Sequence, residues 1–335
     1  MNFKILTISL SLLCVSCGNE GEKTLTDNPL TEEVDTSTLS LNEENNILSE
    51  VDNSADLKIY PLGSYDKTEG KSSSFISLTD FYPWSDHPDS LVISNENLGD
   101  NTIENSHVLN AKFRTRFLKN LNIKESDSVY IYNYRLDKRY TFAVKNLPVL
   151  AHITVYGAEA PISQYDYLVG FDLEKVLPMS DFRSYYDAFA FVGTENPFIT
   201  GEVKPILWEK MNAKQFPTEI KSRKIAKTKI SKLYSYKWNN FTYFLINEMH
   251  LVIVESSSNK IITETVFEEG ESTGLAGLSF KNQKNENIPE QWTGNLFKNK
   301  PPVFFGFTYE SFGCPSINFI HKAEKEIYIN CDNRH

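Results

Sequence analysis

The 335-residue chain is 40% hydrophobic, 13% aromatic and 23% charged, enough apolar material for one large globular body or two small ones, which excludes wholesale disorder. Fifteen glycines, fourteen prolines and four cysteines are too few for a collagen-like, linker-dominated or disulfide-scaffold protein. The net charge of -10 is concentrated: residues 18–56 hold eleven acids and one base, whereas residues 57–335 hold 32 bases and 33 acids, and so neutral a body argues against a nucleic-acid partner.

In chain order, Met1 to Lys4 gives a short positive start, and Ile5 to Leu13 is an apolar run too short to span a bilayer, the pattern of a secretory signal peptide. It leads into Cys14-Val15-Ser16-Cys17. This segment resembles the lipobox of bacterial lipoproteins, in which a small residue, here Ser16, precedes the cysteine that is lipidated and becomes amino-terminal on cleavage. The position three before that cysteine is usually Leu and here is Cys14, with the leucines at Leu12 and Leu13. Choosing Cys14 instead sets bulky Leu13 at the cleavage point, so Cys17 is the candidate lipidation residue. The resemblance covers about twenty residues and implies a palmitate-type anchor, with the membrane as partner through it. It also implies an address at the outer membrane or cell surface, with a periplasm-facing anchor as the alternative. An ordinary cleaved signal is the competing reading of residues 1–17.

Residues 18–56 are rich in Asn, Ser, Thr, Glu and Asp with scattered single Leu and Val, a composition that cannot build a core. They are expected to be a disordered, acidic tether with a root-mean-square span of roughly 35 Å. The body, residues 57–335, is expected to be mainly β. Near its start, Asp80-Phe81-Tyr82-Pro83-Trp84-Ser85-Asp86-His87-Pro88-Asp89 packs aromatics, acids and a histidine together. Such a loop suits sugar stacking and hydroxyl recognition through Tyr82, Trp84, Asp86 and His87, although a structural loop, with aromatics tucked onto the core and acids capping turns, is the favoured reading.

A helix is predicted from Ser106, as cap, to about Leu121, with Leu109, Phe113, Phe117 and Leu121 along one face. Strands are predicted at Val129 to Tyr134, Tyr140 to Val144, Ala151 to Tyr156 and Tyr167 to Leu173. Short helical pieces follow near Asp181 to Asp187 and Leu207 to Gln215, and prolines from Pro148 to Pro205 suggest a weak boundary near residues 195–235. Lys221 to Lys232 carries six bases and no acid, the strongest charge run of the body. It reads as a solvated face or as a dock for anionic glycolipid, an acidic partner or the acidic tether.

The later strands are clearer: Phe241 to Ile246, Leu251 to Glu255, Ile261 to Phe267, Val303 to Tyr309, Ile317 to Ile320 and Ile327 to Asn330. Leu251 to Glu255 and Ile261 to Phe267 form a hairpin whose second arm alternates in polarity, predicting one solvated face. Few helices and no βα alternation give an antiparallel sandwich or a propeller-like ring rather than a doubly wound enzyme. Cys314 and Cys331 are the only cysteines of the body and are expected to pair in an exported protein.

Chemistry is sparse. Gly270-Glu271-Ser272-Thr273-Gly274 matches the spacing of the nucleophile elbow of α/β-hydrolases, for which Glu310 and His321 supply a downstream acid and base. The βαβ surroundings of that motif are missing. His107, His152 and His250 lack metal-ligand spacing, so no metal site is expected, and no cofactor motif occurs. The reading is a non-catalytic envelope or surface module binding a glycan or an envelope protein, with a secreted serine hydrolase using Ser272 as the alternative.

Overall fold

The computed structural model describes residues 57–68, 71–79, 106–153, 166–177, 187–281, 290–311 and 313–331. The acidic tether with Cys17, the loop carrying Tyr82, Trp84, Asp86 and His87, and all but the last residue of the 181–187 piece lie outside them. The chain from Ser54 to His335 forms one unit. It is mainly β and antiparallel, as composition and periodicity predicted.

The chain begins with β1 (Ile59–Pro61), β2 (Gly63–Thr68), β3 (Lys71–Ser77) and β4 (Ser106–Val108), followed by helix α1 (Ala111–Asn120). Next come β5 (Ser128–Asn133), β6 (Lys138–Ala143), β7 (Val149–Ile153), β8 (Tyr167–Asp172), β9 (Ala188–Gly193), β10 (Val203–Pro205) and β11 (Glu209–Met211). After the short helix α2 (Arg223–Lys227) run β12 (Leu233–Trp238), β13 (Phe241–Ile246), β14 (His250–Glu255) and β15 (Ile261–Val266). The last third holds β16 (Thr273–Leu275), β17 (Trp292–Gly294), β18 (Val303–Phe305), β19 (Thr308–Glu310), β20 (Ser316–Phe319) and β21 (Ile327–Tyr328).

Four larger sheets result, ordered β1-β9-β5-β6, β2-β3-β8-β7-β4, β10-β17-β18-β20-β21 and β11-β12-β13-β14-β15, with β16 and β19 forming a separate two-stranded ribbon. Strand alternation explains how the sheets pack. In β9, Ala188, Ala190 and Val192 face a core shared with Ile76, Val149, Val169 and Phe171 of the second sheet, whereas Phe189 and Phe191 face a core shared with Trp292, Val303, Phe305 and Ile317 of the third. In β18 the central residue, Phe304, points the other way, into a core with Tyr243, Leu245, Leu251 and Ile253 of the fourth sheet. The alternate residues of those strands, Phe244, Ile246, Val252 and Val254, pack against Ile220, Ile225 and Ile230. The sheets therefore stack face to face in a row, second, first, third and fourth. The architecture is a stack of antiparallel sheets, and the inner sheets are apolar on both faces.

Several local expectations need correction. The helix starts at Ala111 rather than near Ser106: Asn110, in extended backbone, caps it by accepting from Phe113 N at 3.1 Å, and Ser106 belongs to β4, paired with β7. Leu207 to Gln215 is no helix. Trp208 is buried with Nε1 donating to Gln291 Oε1 at 2.5 Å, β11 comes next, and only a 3-10 turn, Ala213–Gln215, remains. Residues 195–235 include α2 and also give β10 to the third sheet and β11 to the fourth.

Val303 to Tyr309 is two strands in different sheets, broken at Gly306, whose φ is +78° and where a Cβ would meet the Glu290 carbonyl at 2.0 Å. The second hairpin arm has no solvated face. A bulge opposite Ile253/Val254 lets Ile261 enter one core and Ile262 another, and the rest of β15 is at least half-buried.

Candidate functional site

A cleft of about 200 Å³ opens where the fourth sheet meets the third, lined from β15 by Thr265 and the adjoining Phe267, and by the chain around Gly306 and Pro315. Its apolar part is aromatic: Phe267 and Phe307 stack with centroids 4.9 Å apart, and Phe305 sits beside them with its ring in the neighbouring core. The polar part comprises Thr308, Ser316, Asn318 and Glu326. Asn318 Nδ2 donates to Ser316 Oγ at 3.3 Å, which orients the amide.

At the edge, Tyr328, 63% exposed, donates from its hydroxyl to Glu326 Oε1 at 2.7 Å, and that negative acceptor raises the phenol's pKa. The tyrosine ring is thereby held beside the carboxylate while its face stays open to solvent. The cleft is smaller than the roughly 300–1,000 Å³ that engulfs a drug-sized ligand. Its space matches about one ring-sized group, with aromatic, amide, hydroxyl and carboxylate functions around it.

Three turn and closure features place these residues. Gly306 permits the sharp change of direction that sends β18 into one sheet and β19 into the ribbon. Cys314 and Cys331 form the expected disulfide, with Cα atoms 5.5 Å apart, fastening the chain just before β20 to the chain just after β21. Beyond β21, Ile329 bridges to Ile59, and Asn330 donates to the Ile59 carbonyl through its backbone N at 2.7 Å and through Nδ2 at 2.9 Å. The carboxyl-terminal segment is thus tied to the first strand of the body.

The candidate hydrolase residues meet only in part. Ser272 lies at the bend before β16, its carbonyl accepting from Ser311 N at 2.7 Å, so it neighbours the end of β19 that carries Glu310. Glu310 instead accepts from Thr273 Oγ1 at 2.5 Å. His321 comes after β20 and packs edge-on against Phe241, with ring centroids 6.4 Å apart. Among the described residues no hydrogen bond links the side chains of Ser272, Glu310 and His321.

Ser272 leads into a strand and is not among the residues with positive φ. The two glycines of the motif differ in their surroundings. A Cβ on Gly274 would strike the Tyr309 ring at 2.2 Å, whereas one on Gly270 would meet nothing within 4 Å.

The histidines sit in three environments. His152 is buried between Tyr65, stacked at 5.2 Å, and Phe75, edge-on at 4.7 Å. His107 tilts against Tyr167. His250, 3% exposed, has Nε2 2.9 Å from Glu264 Oε1, the oxygen that also accepts from Ser222 Oγ at 2.5 Å. Among the described residues no three His, Cys, Asp or Glu are grouped to hold a metal.

The cleft itself was not read from the sequence, because its lining is scattered between residues 265 and 326 and each contribution is locally ordinary. The one local signal was the i, i+2 pairing of Glu326 and Tyr328, which a strand places on one face. No family model, curated protein or solved structure matches this chain.

Proposed function

We propose that this protein is a lipid-anchored module of the cell envelope that binds rather than catalyses, holding a hydroxyl-rich polymer such as an envelope glycan at the cleft beside Tyr328. The single observation that carries the binding reading is the cleft's chemistry. The Phe267 and Phe307 rings, the Glu326 carboxylate held by the exposed Tyr328 and the oriented Asn318 amide surround a ring-sized space, and sugars present both an apolar face for stacking and hydroxyls for hydrogen bonding. The anchor at Cys17, and with it the outer-membrane or cell-surface address, rests on the lipobox-like segment.

Two measurements test the reading. Co-sedimentation of the full chain with insoluble peptidoglycan and with surface polysaccharide is expected to show retention that falls about tenfold in Tyr328→Ala, the ordinary cost of truncating an aromatic anchor. Retention identical to wild type removes the cleft. Metabolic labelling with an alkyne-bearing palmitate is expected to mark the wild-type chain and not Cys17→Ser, and an unlabelled wild type removes the anchor. Covalent capture of Ser272 by a serine-reactive phosphonate would replace the binding module with a hydrolase.

A further inference from the structure

The basic run has a structural organisation that its composition alone did not reveal. Lys221, Arg223, Lys224, Lys227, Lys229 and Lys232 are all exposed, and no acid occurs between Glu219 and Glu248. Lys232 is paired with Glu248 at 2.9 Å. Among the described residues the other five have no ion pair.

A loop bearing so many like charges would ordinarily move freely, yet this one is fastened along its length. Ile220, Ile225 and Ile230, five residues apart, drive into the outer core of the fourth sheet. At one end Ser222 caps α2 by accepting from Ile225 N at 3.0 Å and donates to the Glu264 carboxylate, itself held by His250. At the other end Asn247, at φ +54°, clamps the chain: its Oδ1 accepts from Ser231 N, Ser231 Oγ and Lys232 N at 2.8–3.0 Å, and its Nδ2 donates to the Lys229 carbonyl at 3.0 Å. The isoleucines face in and the cations face out. The conformational entropy of presenting them is therefore spent in folding rather than at the moment of binding.

We propose that residues 221–232 are a docking surface for anionic lipid headgroups, laying the body against the bilayer into which the chain is anchored. The inference rests on the lipid-anchor reading for its choice of partner. With Cys17 in the bilayer, only 39 residues separate the anchor from the body, so headgroups are present at high effective concentration throughout. Without these six bases the rest of residues 57–335 holds 26 bases and 33 acids, a net charge of -7, so attraction to an anionic surface is confined to this face. Basic residues at an anionic lipid surface each contribute about fivefold to partitioning, reduced by salt.

The test is sedimentation of the full, unlipidated chain with vesicles of phosphatidylcholine alone and of phosphatidylcholine with about one-third phosphatidylglycerol, at about 0.1 M salt. The quantity read is the ratio of the two partition coefficients, in which the apolar leader's contribution cancels. Wild type is expected to favour anionic vesicles by at least tenfold. Lys224→Glu, Lys227→Glu and Lys229→Glu together bring the ratio close to one, whereas the corresponding arginine triple variant keeps it. Lys322→Glu with Lys325→Glu, elsewhere on the surface, leaves it within twofold.

Should the glutamates lower the melting temperature, the glutamine triple variant reads the same loss of charge without reversal. A wild-type ratio below threefold overturns the proposal, as does a triple variant that retains the wild-type ratio. Binding abolished by about 10 mM inorganic phosphate but not by sodium chloride of equal ionic strength would make the site a discrete phosphate pocket, and also overturns it. The vesicle ratio is independent of palmitate labelling, so the failure of the anchor and the failure of the docking surface are told apart.

Discussion

Replacing both Cys314 and Cys331 by serine tests how much of the closure between the ends of the body depends on one covalent bond. The bridge joins residues 17 apart in sequence. In the chain-entropy model, cross-linking a loop of that length removes unfolded-state freedom worth about 3 kcal/mol near 25 °C. Both cysteines are half-buried, so the replacing hydroxyls reach water and add little desolvation cost. For a body of this size about 2 °C is lost per kcal/mol, which gives a fall in Tm of about 6 °C if the body melts as one unit.

The loss should also have a location. Among the described residues the two-residue strand β21 pairs with β20 alone, and the chain just beyond it is held by the Ile329 N–H donating to the Pro315 carbonyl at 2.9 Å, by the Ile329 bridge and by two Asn330 hydrogen bonds to Ile59. Without the cross-link these few contacts must hold residues 327–331 alone. Calorimetry without reductant gives the global shift, and hydrogen exchange at the Ile329 and Asn330 amides gives the local one. A double-serine protein that melts within about 1 °C of wild type and keeps those amides protected would refute the reasoning.

Individual contacts make four further predictions. Asn247→Gly keeps the left-handed backbone but loses the side-chain clamp and should cost about 1–2 kcal/mol in chemical denaturation, while Asn247→Ala adds about 1 kcal/mol of backbone strain; equal costs would show that φ is not the issue. Gly306→Ala, combining φ +78° with a 2.0 Å approach to a backbone oxygen, should cost about 3 kcal/mol or more, whereas Gly270→Ala should fall within about 0.5 kcal/mol of wild type. Arg114→Ala removes a bidentate partner of Glu125 and leaves the Val144 and Leu147 carbonyls without their guanidinium, for about 1–3 kcal/mol at neutral pH. Because the Arg114 hydrogen bonds lower the Glu125 pKa below 4.5, the carboxylate stabilises the fold above that value and its contribution disappears as pH falls through the lower folded value; the variant should therefore lose less stability on acidification than wild type. Ser272→Ala should leave the melting temperature within about 1 °C, and wild type should resist the phosphonate.

How far each feature was legible in the sequence depends on how local it is. Phe241 to Ile246 was legible to the residue because an apolar run is bounded by Asn239 and Asn247, both of which turn the chain with positive φ. The disulfide was legible because the body contains only two cysteines. By contrast, β1, β10, β16 and β17 are three residues each, and their strand character comes from partners far away in sequence, as with Val203 opposite Gly294.

The half-polar look of Ile261 to Val266 misled because alternation alone cannot distinguish water from a histidine and a serine as the partners of a carboxylate. Glu264 reads as a solvent-facing residue and is in fact a half-buried tether. The hydrolase-like spacing is legible in the same local way, whereas the surroundings of its two glycines are not. The Tyr309 ring, brought from another strand, covers Gly274, whereas a Cβ on Gly270 would meet nothing within 4 Å.

Strand β15 connects the two proposed surfaces and also keeps them apart. Its bulge at Ile262 sets the phase, so that from Thr263 onward alternate residues serve opposite faces of the fourth sheet. Thr263 donates to the Ile320 carbonyl on the side of the third sheet, Glu264 turns the other way to hold Ser222 and the basic segment, and Thr265 returns to the cleft side. Neighbouring residues therefore support different tasks: one fixes the cations in place and the next lines the cleft.

The separation has a physical consequence for an anchored protein. A body pressed to the membrane by its outer sheet face would keep the cleft at the sheet's opposite side, clear of the headgroups. The same alternation that gives the inner sheets two apolar faces would then let one edge strand serve a membrane on one side and a polymer on the other. Shifting the phase of β15 by one residue would exchange Glu264 and Thr265 and abolish both surfaces together.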